Sequence, residues 1–205
     1  MERQLVECVP NISEGRRPEV VEEAVAVVRR QGAAVLDVYR GAGTNRSVIT
    51  MAGAPECVER AAFSLIEFTK GAIDMREHQG EHPRMGATDV CPIVPVQGVS
   101  LAECCEMARR VGERVWNELG IPVYFYEENA SSPERRSLAV VRSGEYEGLP
   151  RRLEQPTSRP DLGGAVFNAR SGAVAIGARP FLIAFNINLA SADVRLARRI
   201  AERLR

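Results

Sequence analysis

The chain has 205 residues, 45% apolar and 26% charged, an ordinary globular composition that excludes intrinsic disorder as its main character. Lys+Arg and Asp+Glu balance at 27 each, so the charge of the whole molecule steers it neither to nucleic acid nor to anionic lipid. No apolar stretch approaches the roughly 20 residues of a membrane span, and five cysteines without CxxC spacing point to a reduced, cytoplasmic, soluble protein.

Leu5 to Val9 alternates and predicts a strand, which ends in the turn-rich run Pro10 to Gly15. Met1 to Gln4 leads straight into it with no signal-peptide h-region. Pro18 stands where a helix likes its first residue, Val20, Val21, Ala24, Val25 and Val28 follow at helical spacing, and Gly32 closes the element. Ala34 to Tyr39 and Ser47 to Ala52 read as strands joined by the turn Gly41 to Asn45. Pro55 opens a second helix with Val58, Ala61, Ala62, Leu65 and Ile66 facing inward, and Gly71 to Thr88 has no apolar period and reads as a long loop. Val90 to Val96 is apolar, but Pro92 and Pro95 assign it to a sheet edge or an irregular strand. The order β-α-β-β-α-β is the split pattern of a ferredoxin-like α/β sandwich, an α+β fold with an extra helix and strand.

Ser100 to Glu103 is a capping box, opening a helix with Leu101, Cys104, Cys105, Ala108, Val111, Val115 and Leu119 on one face. Val123 to Tyr126 predicts a strand and Pro133 to Arg142 a helix; from Glu145 to Arg170 the chain is polar and loop-like. Phe181 to Leu189 alternates as a strand, and a helix runs from about Ala192 to Arg205.

Chemistry concentrates in the loop from His78 to Ala87, which holds both histidines, Glu81, Arg84 and two glycines. Histidine takes and gives protons near neutrality. Two histidines four apart also suit a zinc pair on a helix. Gly80 and Pro83 argue against that helix, and Glu81 stands in the wrong place for His-Glu-x-x-His, so no metal is expected. The turn Gly41 to Arg46 either presents donors to an anion or is a plain hairpin turn. Gly163 to Gly172 is a flexible segment meeting neither the Walker A nor the dinucleotide spacing.

Four blocks in order carry a resemblance: Val6 to Gly15, Thr44 to Ser47, Ile73 through Gly80-Glu81-His82-Pro83-Arg84-Met85-Gly86-Ala87 to Pro92, and Gly177 to Asn188. On them the sequence is identified as resembling the glutamate formimidoyltransferase (formiminotransferase) family. The resemblance implies a transferase of histidine degradation and one-carbon metabolism. It would move a formimidoyl group between 5-formimidoyltetrahydrofolate and L-glutamate, with a tetrahydrofolate derivative as substrate and no metal. It further implies His82 as the catalytic acid/base and folate binding by Gly163, Gly164, Ala165, Val166, Phe167, Asn168, Ala169, Arg170, Ser171 and Gly172. Arg46 and Arg84 are the candidates for holding substrate carboxylates, each with a competing reading as a loop-fixing salt bridge. The implied state is a homodimer acting on folate and glutamate, without nucleic acid or membrane partners. Residues 1–180 correspond to the family's N-terminal subdomain and 181–205 to the first strand and helix of a truncated second one, which a second chain could supply. The chain departs from the family at Tyr39, where a second acidic residue commonly stands two after Asp37. The alternative reading is a non-catalytic folate-binding or partner-binding module, or one half of a split enzyme.

Overall fold

The computed structural model describes residues 4–183, 187 and 189–204. Strand β1 (Leu5–Cys8) and the short β2 (Asn11–Ile12) lie end to end between β4 (Arg46–Gly53) and β5 (Thr88–Gln97), antiparallel to both. Outside β4, β3 (Ala34–Gly41) pairs as an antiparallel hairpin; outside β5, β7 (Val174–Ala178) and then β6 (Val123–Phe125) pair in parallel. The result is one seven-stranded mixed sheet.

Helix α1 (Pro18–Arg30) and helix α2 (Pro55–Ala72) both begin on the proline that the sequence marks. Of the apolar residues read at helical spacing, Val21, Ala24, Val25 and Val28 on the first and Val58, Ala61, Ala62, Leu65 and Ile66 on the second are buried, while Val20 is only partly covered. The Ser100–Glu103 capping box forms with both reciprocal bonds and starts α3 (Leu101–Arg114), which continues as a single π-helical turn, Val115–Leu119. These helices share one core with Val6, Cys8, Cys91, Ile93, Val174 and Ile176.

Strand residues of opposite parity build a second, smaller core with Val90, Tyr124, Tyr126, Ala173 and Ala175. Two short helices close it, α4 (Leu138–Val141) and α5 (Glu145–Glu154), through Val141 and Leu149. The β5–β7–β6 half of the sheet is therefore covered on both faces. β3 is exposed along most of its length, with Leu36 and Tyr39 each at 62%.

Several expectations need correction. β5 is central rather than an edge strand. Its two prolines fall where the neighbouring strand is irregular: Pro92 accepts from Val9 N–H in the gap between β1 and β2, and Pro95 faces Val6 at a bulge. A missing N–H costs little at such places. The run from Glu145 is not all loop, because Tyr146, Leu149 and Leu153 pack inward and hold α5 despite Pro150. The helix expected over Pro133 to Arg142 is instead a 3-10 turn (Pro133–Arg136) and α4. β7 was not foreseen. Of the strand expected from Phe181 to Leu189, residues 184–186 and 188 lie outside the described residues, and Phe181–Ile183 are exposed and outside any strand. The last helix, α6 (Val194–Leu204), buries none of its residues.

Candidate functional site

The loop between α2 and β5 is fixed by its apolar residues first. Ile73, Met75 and Met85 are buried, and Met75 N–H donates to Arg170 O at 2.8 Å. The histidines then meet different surroundings. His78 Nε2 lies 2.9 Å from Asn45 O, and its Nδ1 accepts from Arg84 Nε at 3.1 Å. An arginine only donates, so His78 is neutral with its proton on Nε2. Burial is the main cause holding its pKa below the ordinary value, and the Arg84 charge adds to it.

Arg84 is itself buried and reaches Glu147 at 2.7 Å through both Nη atoms and Glu145 at 3.2 Å. Its guanidinium braces the loop against α5. Asn45, at φ 48°, has its side chain between two other turns, accepting from Gly15 N–H and donating to Gln79 O. Asparagine tolerates that left-handed backbone better than most residues.

His82 is held differently. It is half-buried, and its Nδ1 lies 2.7 Å from Pro83 O. A carbonyl only accepts, so Nδ1 carries the proton and Nε2 presents its lone pair. Burial first, then the positive charges of Arg46 and Arg142, hold its pKa below the ordinary value; the Pro83 carbonyl and Asp89 oppose them. The imidazole is accordingly neutral at pH 7, as a proton acceptor should be.

The loop that carries His82 rests, through Met85, on a buried charge cluster. Asp89 is fully buried and takes Arg46 Nη1 at 2.6 Å and Arg142 Nη2 at 2.8 Å on Oδ2, and Met85 N–H at 2.9 Å on Oδ1. Arg46 Nε also donates to Asn11 Oδ1. Arg142 Nε is buried with no partner, and so is Ser171 Oγ.

The 163–172 segment meets this loop at its far end. Ala87 N–H donates to Ser171 O at 2.9 Å, Ala173 N–H to Met85 O at 3.0 Å, and Gly86 and Gly172 form an isolated bridge. Arg170 caps Lys70 O and Gly71 O at the end of α2. Residues 164–167 are exposed, with the Phe167 ring 5.8 Å from that of Tyr146. Met85 to Ala87, at the end of the loop that carries His82, are thus joined to Ser171 to Ala173, while Gly163 lies against Pro122 and Trp116. A cavity of about 520 Å³ opens beside His78, lined by Ser13, Glu14, Asn45, Asp74 and Arg170 among others; His82 does not line it. Among the described residues no group of three or more His, Cys, Asp or Glu is placed to hold a metal, and no helix is long and apolar enough to cross a membrane.

Residues 5–179 match the family described as the formiminotransferase domain, N-terminal subdomain. The chain belongs to this family. It is 51% identical to the formimidoyltransferase-cyclodeaminase of Rattus norvegicus over 98% of its own length and 37% of that protein's. It is 43% identical to the glutamate formimidoyltransferase of Streptococcus pyogenes, over 98% of this chain and 68% of that one. The same identity holds to the glutamate formimidoyltransferase of Thermoplasma acidophilum, over 98% and 67%. The chain therefore spans little more than a third of the bifunctional relative and about two thirds of the two shorter ones.

Sequence reasoning missed Asp89, Arg142 and the Glu145–Glu147 pair as parts of this site. Asp89 had a signal: an acid at the head of an apolar strand is buried only if paired. Arg142 had none, since its partner is 53 positions away.

Proposed function

We propose that this chain transfers a formimidoyl group between 5-formimidoyltetrahydrofolate and L-glutamate, with His82 as acid and base. The observation that carries this reading is the held imidazole of His82, with Nδ1–H donated to Pro83 O and the Nε2 lone pair left for chemistry. Two relatives named glutamate formimidoyltransferase support it.

The glutamate amine attacks the formimidoyl carbon and gives a proton to Nε2 as the new C–N bond forms. The carbon's bond to N5 of the pterin then breaks, and N5 takes the proton back from Nε2–H. One imidazole serves both steps by taking and then returning the same proton, and such catalysis supplies about 10²–10⁴-fold. Holding the two reactants together adds to it. Residues 163–172 are the folate segment in this reading; their bridge to Met85–Ala87 would set the pterin against His82, and exposed Val166 and Phe167 would offer apolar surface. Arg46 belongs to the anion contacts, whereas Arg84 acts through the loop it braces.

The sheet order β3–β4–β1–β5, with α1 and α2 on one face, supports a ferredoxin-like unit extended by β7 and β6. Residues 181–205 would begin a second subdomain; exposed Phe181, Leu182 and Ile183 and the unburied α6 are consistent with apolar surface awaiting a partner. A cytoplasmic homodimer is the assembly proposed, and a second chain completing the cleft is its split-enzyme variant.

The test is turnover of 5-formimidoyltetrahydrofolate with glutamate, together with calorimetric binding of 5-formyltetrahydrofolate. Turnover abolished by His82→Asn with the fold intact supports the reading. Folate binding without turnover, with or without a partner chain, would assign the protein to the binding-module alternative.

A further inference from the structure

Asp89 is one carboxylate serving two guanidiniums. Arg46 Nη1 donates to Oδ2, Arg142 Nη2 forms an ion pair with the same oxygen at 2.8 Å, and the other oxygen is taken by Met85 N–H. Both arginine side chains are largely buried, at 8% and 14% exposure, and Asp89 is at 0%. The cluster therefore holds one positive charge more than it neutralises, in a place where water compensates poorly. Such an excess is expensive unless a further anion arrives.

The bonding pattern shows where that anion would sit. Arg46 spends Nε on Asn11 and Nη1 on Asp89; Arg142 spends Nη2 on Asp89 and leaves Nε without any partner. Arg46 Nη2 and Arg142 Nη1 are used by no partner among the described residues. The carboxylate of Asp89 thus holds two forks side by side, each with donors to spare. Paired guanidinium edges match a carboxylate's two oxygens. The cluster is tied to the His82 loop by geometry, since Met85, three residues after His82, donates its N–H to the Asp89 carboxylate at 2.9 Å, and both arginine charges act to lower the His82 pKa.

We propose that Arg142 and Arg46, clamped on Asp89, form a carboxylate subsite beside His82 that seats the acceptor amino acid. This rests on the reading of His82 as the acid/base and assigns to Arg142 the role of presenting the acceptor. A bound carboxylate neutralises the excess charge, and its amine is delivered to the imidazole that must take its proton. The same anion relieves the electrostatic pressure on His82, so acceptor binding raises the basicity of the group that deprotonates it.

The chain has two histidines, which makes a direct test simple. The ring C–H signals of the whole protein are followed by NMR over pH, at constant ionic strength, with glutarate or with the neutral glutaramide. Glutarate is expected to raise the His82 midpoint by about half a unit or more, and glutaramide to leave it unchanged. His78, bonded to Asn45 and Arg84, is the internal control. In Arg142→Gln, glutarate should bind at least tenfold more weakly. Arg142→Lys, which keeps the charge but not the fork, should leave the free His82 midpoint near the parent value while still weakening glutarate. The inference is overturned if His82 ignores glutarate, or if both variants respond as the parent does. Weakened 5-formyltetrahydrofolate binding in Arg142→Gln, with glutarate unaffected, would also overturn it by giving the subsite to the folate tail. None of these measurements uses turnover, so an inactive chain whose His82 answers to glutarate would sink the proposed transferase reading and the acceptor role with it, while leaving the carboxylate subsite itself standing.

Discussion

Gly86 and Gly172 face each other as a two-residue antiparallel bridge that joins the His82 loop to the 163–172 segment. Neither position has room for a side chain. A Cβ on Gly86 would lie 2.0 Å from Ala173 O, and one on Gly172, at φ +68°, would lie 2.1 Å from Met85 O. Gly172→Ala is therefore expected to cost about 2 kcal/mol or more, from the clash and the left-handed backbone together. Urea denaturation reads the loss. Because the strain falls on the bridge, affinity for 5-formyltetrahydrofolate should drop with it; a variant of unchanged stability would show that the two segments are not closely apposed.

The two histidines should separate cleanly by mutation. His82→Asn is expected to lower turnover by about 10²–10⁴-fold with little change in stability, because its ring bonds only the neighbouring carbonyl. His78→Ala removes the bonds to Asn45 and Arg84 and is expected to cost about 1–2 kcal/mol. Far-UV circular dichroism and thermal melts beside the rate assay check both. Equal rate losses in the two variants would contradict the division of roles.

Asp89 should be among the least replaceable polar residues of the fold. Asp89→Ala leaves two largely buried guanidiniums without their shared carboxylate, and removing one partner of a buried pair costs about 3–5 kcal/mol. Glu147→Gln, by contrast, touches an ion pair whose carboxylate is 64% exposed, and should cost no more than about 1 kcal/mol. A denaturation midpoint for Asp89→Ala close to the parent's would refute the buried cluster.

The pH dependence follows from both depressed histidines. Each has a folded pKa below its unfolded value of about 6.5, so the unfolded chain binds more protons on the acid side. Their contribution to stability is present above that value and is lost as pH falls through the folded pKa. Melting temperature should decline below about pH 6.5, and kcat/KM should fall in the same direction as His82 Nε2 becomes occupied. An acid-side inflection of kcat/KM above pH 7 would exclude His82 as the base.

The elements legible in the sequence are those whose pattern is complete within one segment. α1 and α2 announce themselves by proline at the first turn and apolar residues every three or four positions, and the β3–β4 hairpin by its turn residues. β7 is five small and branched residues buried on both faces, so it has no alternation to read. α5 carries Gly148 and Pro150, which argue locally for a loop, and only the packing of Leu149 and Leu153 outweighs them. The prolines of β5 mislead for the same reason, since their tolerance depends on a gap in a strand some 80 positions earlier.

The site divides along the same line. The sequence by itself determined the family resemblance, the loop that carries His82, and the glycines that let backbones touch. It could not distribute the arginines. Arg84 and Arg46 looked equally fit to meet substrate, and Arg142 drew no attention. Whether a guanidinium is spent on a carboxylate or left with donors depends on which charges the fold brings within about 3 Å, and here those partners lie 43 to 63 positions apart. Helical and strand periodicity are local properties and can be read along the chain. Charge pairing is a property of the folded interior, where the cost of leaving a buried ion alone decides what sits beside what.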